Sequence, residues 1–123
     1  MVKTECCQSI LVVEDDDDIR NAIVDLLENE GYYAESAING KDALEKLRSI
    51  KEKPCLVLLD MMMPIMNGRE FLDEVMKDSH LAPIPVLIVS AVADKSNTEG
   101  SVGFLKKPID IDVVLKVVYQ YCQ

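Results

Sequence analysis

The sequence predicts an α/β fold: a doubly wound sheet of five parallel strands with helices on both faces. Two observations carry this expectation. Short β-branched runs alternate with segments of helical periodicity along the whole chain, the pattern of βαβ units and therefore of parallel strands. Three of those runs, residues 9–14 (SILVVE), 54–60 (PCLVLLD) and 85–90 (PVLIVS), are apolar at both odd and even positions, as a sheet buried on both faces requires.

Each element follows from its own pattern. Residues 9–14 form the first strand. Residues 16–30 place Ile19, Ala22, Ile23, Leu26 and Leu27 at helical spacing, and Gly31 supplies the stop. Residues 32–37 are a weaker strand. Residues 41–50 carry Ala43, Leu44, Leu47 and Ile50 on one helical face, and residues 54–60 form the third strand. Residues 68–78 align Phe71, Leu72, Val75 and Met76 on a third helix; residues 85–90 and 102–106 are the last two strands. Residues 110–122 close the chain as a helix N-capped by Asp110. Its stripe of Ile111, Val114, Leu115 and Val118 should cover the sheet, leaving Val113 and Val117 exposed as a self-association or partner surface. Between the last two strands, residues 92–101 (VADKSNTEGS) have no apolar stripe beyond Val92 and Ala93 and contain the poor helix formers Ser96, Asn97 and Thr98. A single turn or an irregular, mobile loop is expected there instead of a full helix.

Composition narrows the function. The 123 residues make one domain, with no repeat or linker, and 49% hydrophobic against 28% charged residues is a globular balance. No apolar run reaches the roughly 20 residues of a membrane helix, so no membrane role is expected. The net charge of −9 disfavours nucleic acid as a direct partner, because phosphate binding needs a basic face, while it permits a cation site. The start, MVKTECCQS, lacks the apolar stretch of a secretory signal. The four cysteines include no Cys-x-x-Cys pair, and His80 is the one histidine. Cys55 opens an apolar run and Cys122 ends a helix, so both read as small buried hydrophobes. Free thiols in such a chain fit a reducing cytoplasm. For adjacent Cys6 and Cys7 a redox or metal role is the weaker reading.

Ligands of a doubly wound sheet sit beyond the C-terminal ends of its strands. Those ends carry Glu14 and Asp15, Asp60, Ser90, and Lys106–Lys107 before Pro108. Each has an ordinary explanation alone: acidic residues favour a helix N-terminus, Asp60 suits a turn, Ser90 can cap one, and Lys107 can be solvated. Their convergence at one edge is what such explanations do not supply. Clustered carboxylates repel unless a cation is present, and few hard oxygen ligands suit Mg²⁺. A lysine there pairs with a carboxylate or a phosphoryl group, a serine hydroxyl can donate to an oxyanion, and an aspartate can accept a phosphoryl group as an acyl phosphate.

The segments ILVVEDD with Arg20 following, LVLLDMMMPIMNG, PVLIVSA and GFLKKP, in that order, resemble the receiver domain of two-component response regulators over nearly the whole chain, residues 1–123. The resemblance implies a flavodoxin-like strand order 2-1-3-4-5. It implies that Asp60 is the phosphoacceptor and that Glu14, Asp15, Asp60 and the main-chain carbonyl of Met62 hold Mg²⁺. Glu14 stands where the family often has aspartate. Ser90 matches the hydroxyl switch residue, Ala91 the small residue after it, Lys107 the family lysine before a cis bond to Pro108, and Phe104 the aromatic switch position. The implied partners are a sensor histidine kinase or histidine phosphotransferase and a downstream protein target. The chain is then a signalling phospho-switch and not an enzyme acting on other substrates, with no output domain unless it is a piece of a longer regulator. The resemblance also implies that Met62 and Val92 stand at the two positions that in the family flank the water hydrolysing the acyl phosphate; neither side chain can orient it, so slow self-dephosphorylation is expected. The chain departs from the family in spacing: only seventeen positions separate Ser90 from Lys107, fewer than usual.

Three other readings fit less well. A haloacid dehalogenase-type phosphatase would need a second aspartate where Met62 stands. A flavin or nucleotide binder would need a glycine-rich loop where acidic residues 14–18 stand. A docking-only pseudo-receiver would not need Glu14, Asp15, Asp60, Ser90 and Lys107 together.

Overall fold

The computed structural model of the protein describes residues 9–91 and 98–122. Five parallel strands, β1 (Ser9–Val13), β2 (Tyr33–Ala37), β3 (Leu56–Leu59), β4 (Val86–Ser90) and β5 (Gly103–Lys106), form one sheet in the order β2-β1-β3-β4-β5. Among the described residues there are four helices: α1 (Asp17–Asn29), α2 (Gly40–Ser49), α3 (Gly68–Lys77) and α4 (Ile111–Tyr121). No helix among the described residues is long and apolar enough to cross a membrane.

The sheet is doubly wound because the three central strands divide their side chains by the strand period of two. Ile10 and Val12, Leu56 and Leu58, and Leu87 and Val89 face one way, onto Ile23 and Leu27 of α1 and Val114 and Val118 of α4. Leu11 and Val13, Val57 and Leu59, and Val86 and Ile88 face the other way, onto Ala43, Leu44 and Leu47 of α2 and Phe71, Leu72 and Val75 of α3. Edge strands β2 and β5 alternate instead between exposed and covered positions. Burying a leucine or valine side chain fully contributes about 1.5–3 kcal/mol, so these two layers hold the strand ends in place.

The helix starts are capped by side chains, of which the sequence alone predicts Asp110. Asp16, Asn39, Asn67 and Asp110 each accept a backbone N–H from the first turn of their helices, and Asn67 with Glu70 forms a reciprocal capping box. The Lys107–Pro108 bond is cis. Of the interval 92–101, residues 92–97 lie outside the described residues. Thr98–Ser101 form a turn in which the Ser101 N–H and hydroxyl both donate to the Thr98 carbonyl, at 3.0 and 2.6 Å.

Three expectations are corrected. Cys55 and Cys122 are not free thiols: a disulfide joins them, with Cα atoms 5.4 Å apart across a sequence separation of 67. Chain spacing hides the pairing, because only the packing of α4 over the start of β3 brings the two together. Ile111 is 51% exposed and leaves the covered stripe; it is the first residue of α4, directly after the exposed N-cap Asp110. Val117 is partly buried against the α1/α4 layer instead of exposed, leaving Val113 as the exposed residue of that pair.

Candidate functional site

The site lies at the C-terminal edge of the sheet, and strand register builds it. Val13 of β1 pairs with Leu59 of β3, and Leu59 with Ile88 of β4. The residues just beyond, Glu14 and Asp60, therefore emerge side by side. Backbone bonds extend the ladder one step past the strands: Glu14 N–H to the Ala37 carbonyl (3.1 Å), Asp60 N–H to the Val13 carbonyl (3.0 Å), and Lys107 N–H to the Ser90 carbonyl (3.1 Å). Four of the predicted site residues, Glu14, Asp60, Ser90 and Lys107, thus sit on backbone fixed by the sheet, as a preorganised site needs.

The side chains converge. Carboxylate oxygens of Glu14, Asp15 and Asp60 all lie within 4.8 Å of one another. The Lys107 ammonium is 2.7 Å from Glu14 Oε1 and 3.8 Å from Asp60 Oδ1. Glu14 and Asp60 are buried, at 3% and 6% exposure, and Ser90 is buried completely; Asp15 is exposed. Burial pushes the Glu14 carboxyl above its usual range; the Lys107 hydrogen bond and the Asp16 N–H oppose that rise, and the charge of Asp60 adds to it. Three carboxylates face one ammonium, so the cluster carries excess negative charge in a poorly solvated place. The hard oxygen set, the crowding and the charge fit a small divalent cation.

Further parts complete the edge. Met62, two residues past Asp60, exposes its side chain. Phe104 on β5 is exposed, and Lys106 is exposed beside half-buried Lys107. A shallow cleft of ≈ 440 Å³ lined by Ile19, Lys107, Pro108 and Ile109 adjoins the cluster. Val92 lies outside the described residues.

Sequence reasoning missed what holds the loops. Arg20 donates from Nη1 to the Glu14 carbonyl at 3.0 Å and pairs with Asp17, tying α1 to the end of β1; its place after the acidic run was the available signal. Gly68 and Gly40 have none beyond being glycines. A Cβ on Gly68 would lie 2.7 Å from the Asp60 carbonyl oxygen, and one on Gly40 would lie 2.8 Å from that of Met66. Ile65, in the loop after Asp60, has φ 68°, a left-handed conformation rare for a β-branched residue.

Comparison with known proteins identifies the family. A family model described as the response regulator receiver domain matches residues 10–119. The chain is 32% identical to protein PilH of Pseudomonas aeruginosa over 114 residues, covering 89% of this chain and 93% of that one. It is 37% identical over 110 residues to a protein-glutamate methylesterase/protein-glutamine glutaminase of Methanosarcina mazei, covering 82% of this chain but 29% of that protein. The crystallised chemotaxis response regulator CheY4 of Vibrio cholerae superposes with a TM-score of 0.84 at 27% identity, covering 94% of this chain and 99% of that one. The chain belongs to the response regulator receiver domain family.

Proposed function

We propose that this chain is the phosphoacceptor of a two-component relay, taking a phosphoryl group on Asp60 from a phosphohistidine of a sensor kinase or histidine phosphotransferase. The observation that carries the reading is the Lys107 ammonium set between the buried carboxylates of Glu14 and Asp60, with Asp15 beside them. An Asp60 oxygen attacks phosphorus, a P–O bond forms, the P–N bond breaks, and the imidazole leaves. Lys107 offers the charge that meets the phosphoryl oxygens, and the Ser90 hydroxyl a hydrogen-bond donor. The side chains of Glu14, Asp15 and Asp60 and the carbonyl of Met62 would hold Mg²⁺, which supplies the charge neutralisation that lets two anions approach. The cleft beside Ile19 and Pro108 meets the site at Lys107 and offers a donor apolar contact.

Acylation of Asp60 then biases a two-state equilibrium in which Ser90 follows the phosphoryl group and Phe104, exposed in the unmodified protein, turns inward. The readout is a protein target, met through the β5 and α4 side or through self-association at Val113, and the work is done in the cytoplasm. Residues 1–123 serve as one receiver, a switch and not an enzyme acting on other substrates.

Intact mass after incubation with acetyl phosphate and Mg²⁺ tests this. One phosphoryl group is expected on the wild type and none on Asp60→Asn. Equal labelling of both would overturn the assignment.

A further inference from the structure

The disulfide stands apart from the phosphoacceptor site. Cys55 immediately precedes β3, at the N-terminal edge of the sheet, and its N–H donates to the Ser9 carbonyl at 2.9 Å. Cys122 is the C-cap of α4, buried at 3% exposure, with its N–H on the Val118 carbonyl at 2.8 Å. The bond therefore ties the last turn of the final helix to the base of the strand whose far end leads into Asp60. The other end of that helix begins four residues after Lys107, which the ion pair with Glu14 holds. One segment, 107–122, is thus anchored at one end by the charges of the site and at the other by sulfur.

That second anchor matters because α4 is thinly held. Its fully buried residues are Val114 and Val118, with Cys122 one turn on, while Ile111, Val113 and Tyr119 are exposed. An eleven-residue helix is marginal without packing, and its last turn has no basic side chain to complement the helix dipole.

The chemistry of the pair suits reversibility. Cys55 is partly exposed and Cys122 is buried, so of the two sulfurs that of Cys55 is the more open to a solution thiolate, which makes Cys122 the leaving group. Cys55 Sγ lies 3.2 Å from the Ser9 carbonyl oxygen, so the thiol, once formed, has an acceptor waiting and the reduced state leaves no donor unsatisfied. The buried Cys122 thiol has an apolar setting that a small hydrophobe tolerates. In a reducing cytoplasm, disulfides are mostly transient and responsive to the thiol pool.

We propose that Cys55–Cys122 is a reversible redox site, exchanging two electrons with a small thiol or a protein dithiol, and that it pins the C-terminal turn of α4 to the sheet only when oxidised. A thiolate attacks Cys55 Sγ, the disulfide breaks, and Cys122 leaves as a thiolate that takes a proton from water. A second thiol resolves the mixed disulfide, releasing the oxidised thiol pair and the Cys55 thiol. The step does not depend on phosphoryl transfer; only the source of reductant follows from the cytoplasmic placement.

The test uses the full chain carrying Cys6→Ser and Cys7→Ser, which removes exchange with the terminal cysteines. The protein is equilibrated in glutathione buffers of graded ratio and alkylated, and peptides containing Cys55 and Cys122 are weighed. Amide exchange is followed across 117–122 in parallel. Joint alkylation of both cysteines with one midpoint inside the glutathione range is expected, and protection of 118–122 should fall about tenfold on reduction while β1 and β3 keep theirs. Cys122→Ala should show the reduced pattern without any reductant. Cysteines that stay alkylatable under glutathione disulfide, a bond that yields only on global unfolding, or unchanged exchange on reduction would each overturn the proposal. Loss of Asp60 labelling in the same protein would leave these outcomes unaffected, so the two readings fail separately.

Discussion

Replacing Gly68 by alanine places a methyl group where the backbone of the Asp60 loop already stands. Its Cβ would lie 2.7 Å from the Asp60 carbonyl oxygen, the Met61 Cα and the Met61 Sδ. The sulfur can move, but the other two are main-chain atoms, and the Gly68 N–H holds the Met61 carbonyl at 3.0 Å. Alanine gains at most about 1 kcal/mol of helix propensity over glycine, the helix-interior figure, and Gly68 is the first residue of α3. Overpacking against fixed backbone costs about 1–3 kcal/mol, more in its upper range when two main-chain atoms must shift together. The net expectation is a loss of about 1–2 kcal/mol. The shift passes directly to Asp60, so phosphorylation by acetyl phosphate should slow by about tenfold or more. Urea unfolding and labelling rate are measured beside Gly31→Ala. Gly31 has φ +94° and open space around it, so it should lose stability to backbone strain, about 1 kcal/mol, and keep its labelling rate. A Gly68→Ala protein as stable as wild type, labelling at the wild-type rate, would refute the close approach as the reason for glycine.

Other expectations concern single residues. Ile65 holds φ 68° while 77% exposed, so Ile65→Gly should raise stability by about 0.5–1 kcal/mol, since relief of the left-handed strain exceeds the entropy glycine adds to the unfolded chain; an unchanged urea midpoint would contradict this. The His80 N–H, 2.9 Å away, holds the Asp78 carboxyl below its usual value, and the Arg48 charge adds to the effect. A lowered folded pKa gives stability that is present above the ordinary carboxylate value and lost as pH falls through the lowered one. The stability gap between wild type and Asp78→Ala should therefore be open near neutral pH and narrow as pH falls through the lowered value; a gap independent of pH would contradict it. Met62→Asn with Val92→Glu should speed loss of phosphate from Asp60, because both new side chains can orient water; an unchanged half-life would count against that account.

Much of this site was legible because strand ends are legible. Apolar runs that stop at Glu14, Asp60 and Ser90 define both the strand and the polar residue it delivers, and parallel pairing then aligns those ends without further information. Alternation could not be read within the central strands, which are apolar throughout, so which residues face α1 and α4 and which face α2 and α3 came only with the structure. Contacts between distant segments were hidden for the same reason that Cys55 and Cys122 looked like two separate hydrophobes: spacing of 67 residues carries no distance. The hold of Arg20 on the Glu14 carbonyl, the left-handed Ile65 and the crowding at Gly68 depend on loop conformation, which periodicity does not encode. On α4 the helical wheel assigned Ile111 to the buried stripe because a wheel treats the first residue of a helix like an interior one.

Borohydride reduction after phosphorylation reads the chemistry at one atom, because an aspartyl phosphate is converted to homoserine at the residue that carried it. The protein is treated with acetyl phosphate and Mg²⁺, reduced, digested and sequenced by mass. Homoserine at position 60 alone, absent when the cation is chelated and strongly diminished in Lys107→Ala, is the predicted result. Homoserine at another carboxylate, or none at position 60 despite bound Mg²⁺, would contradict the assignment of Asp60 as the phosphoacceptor.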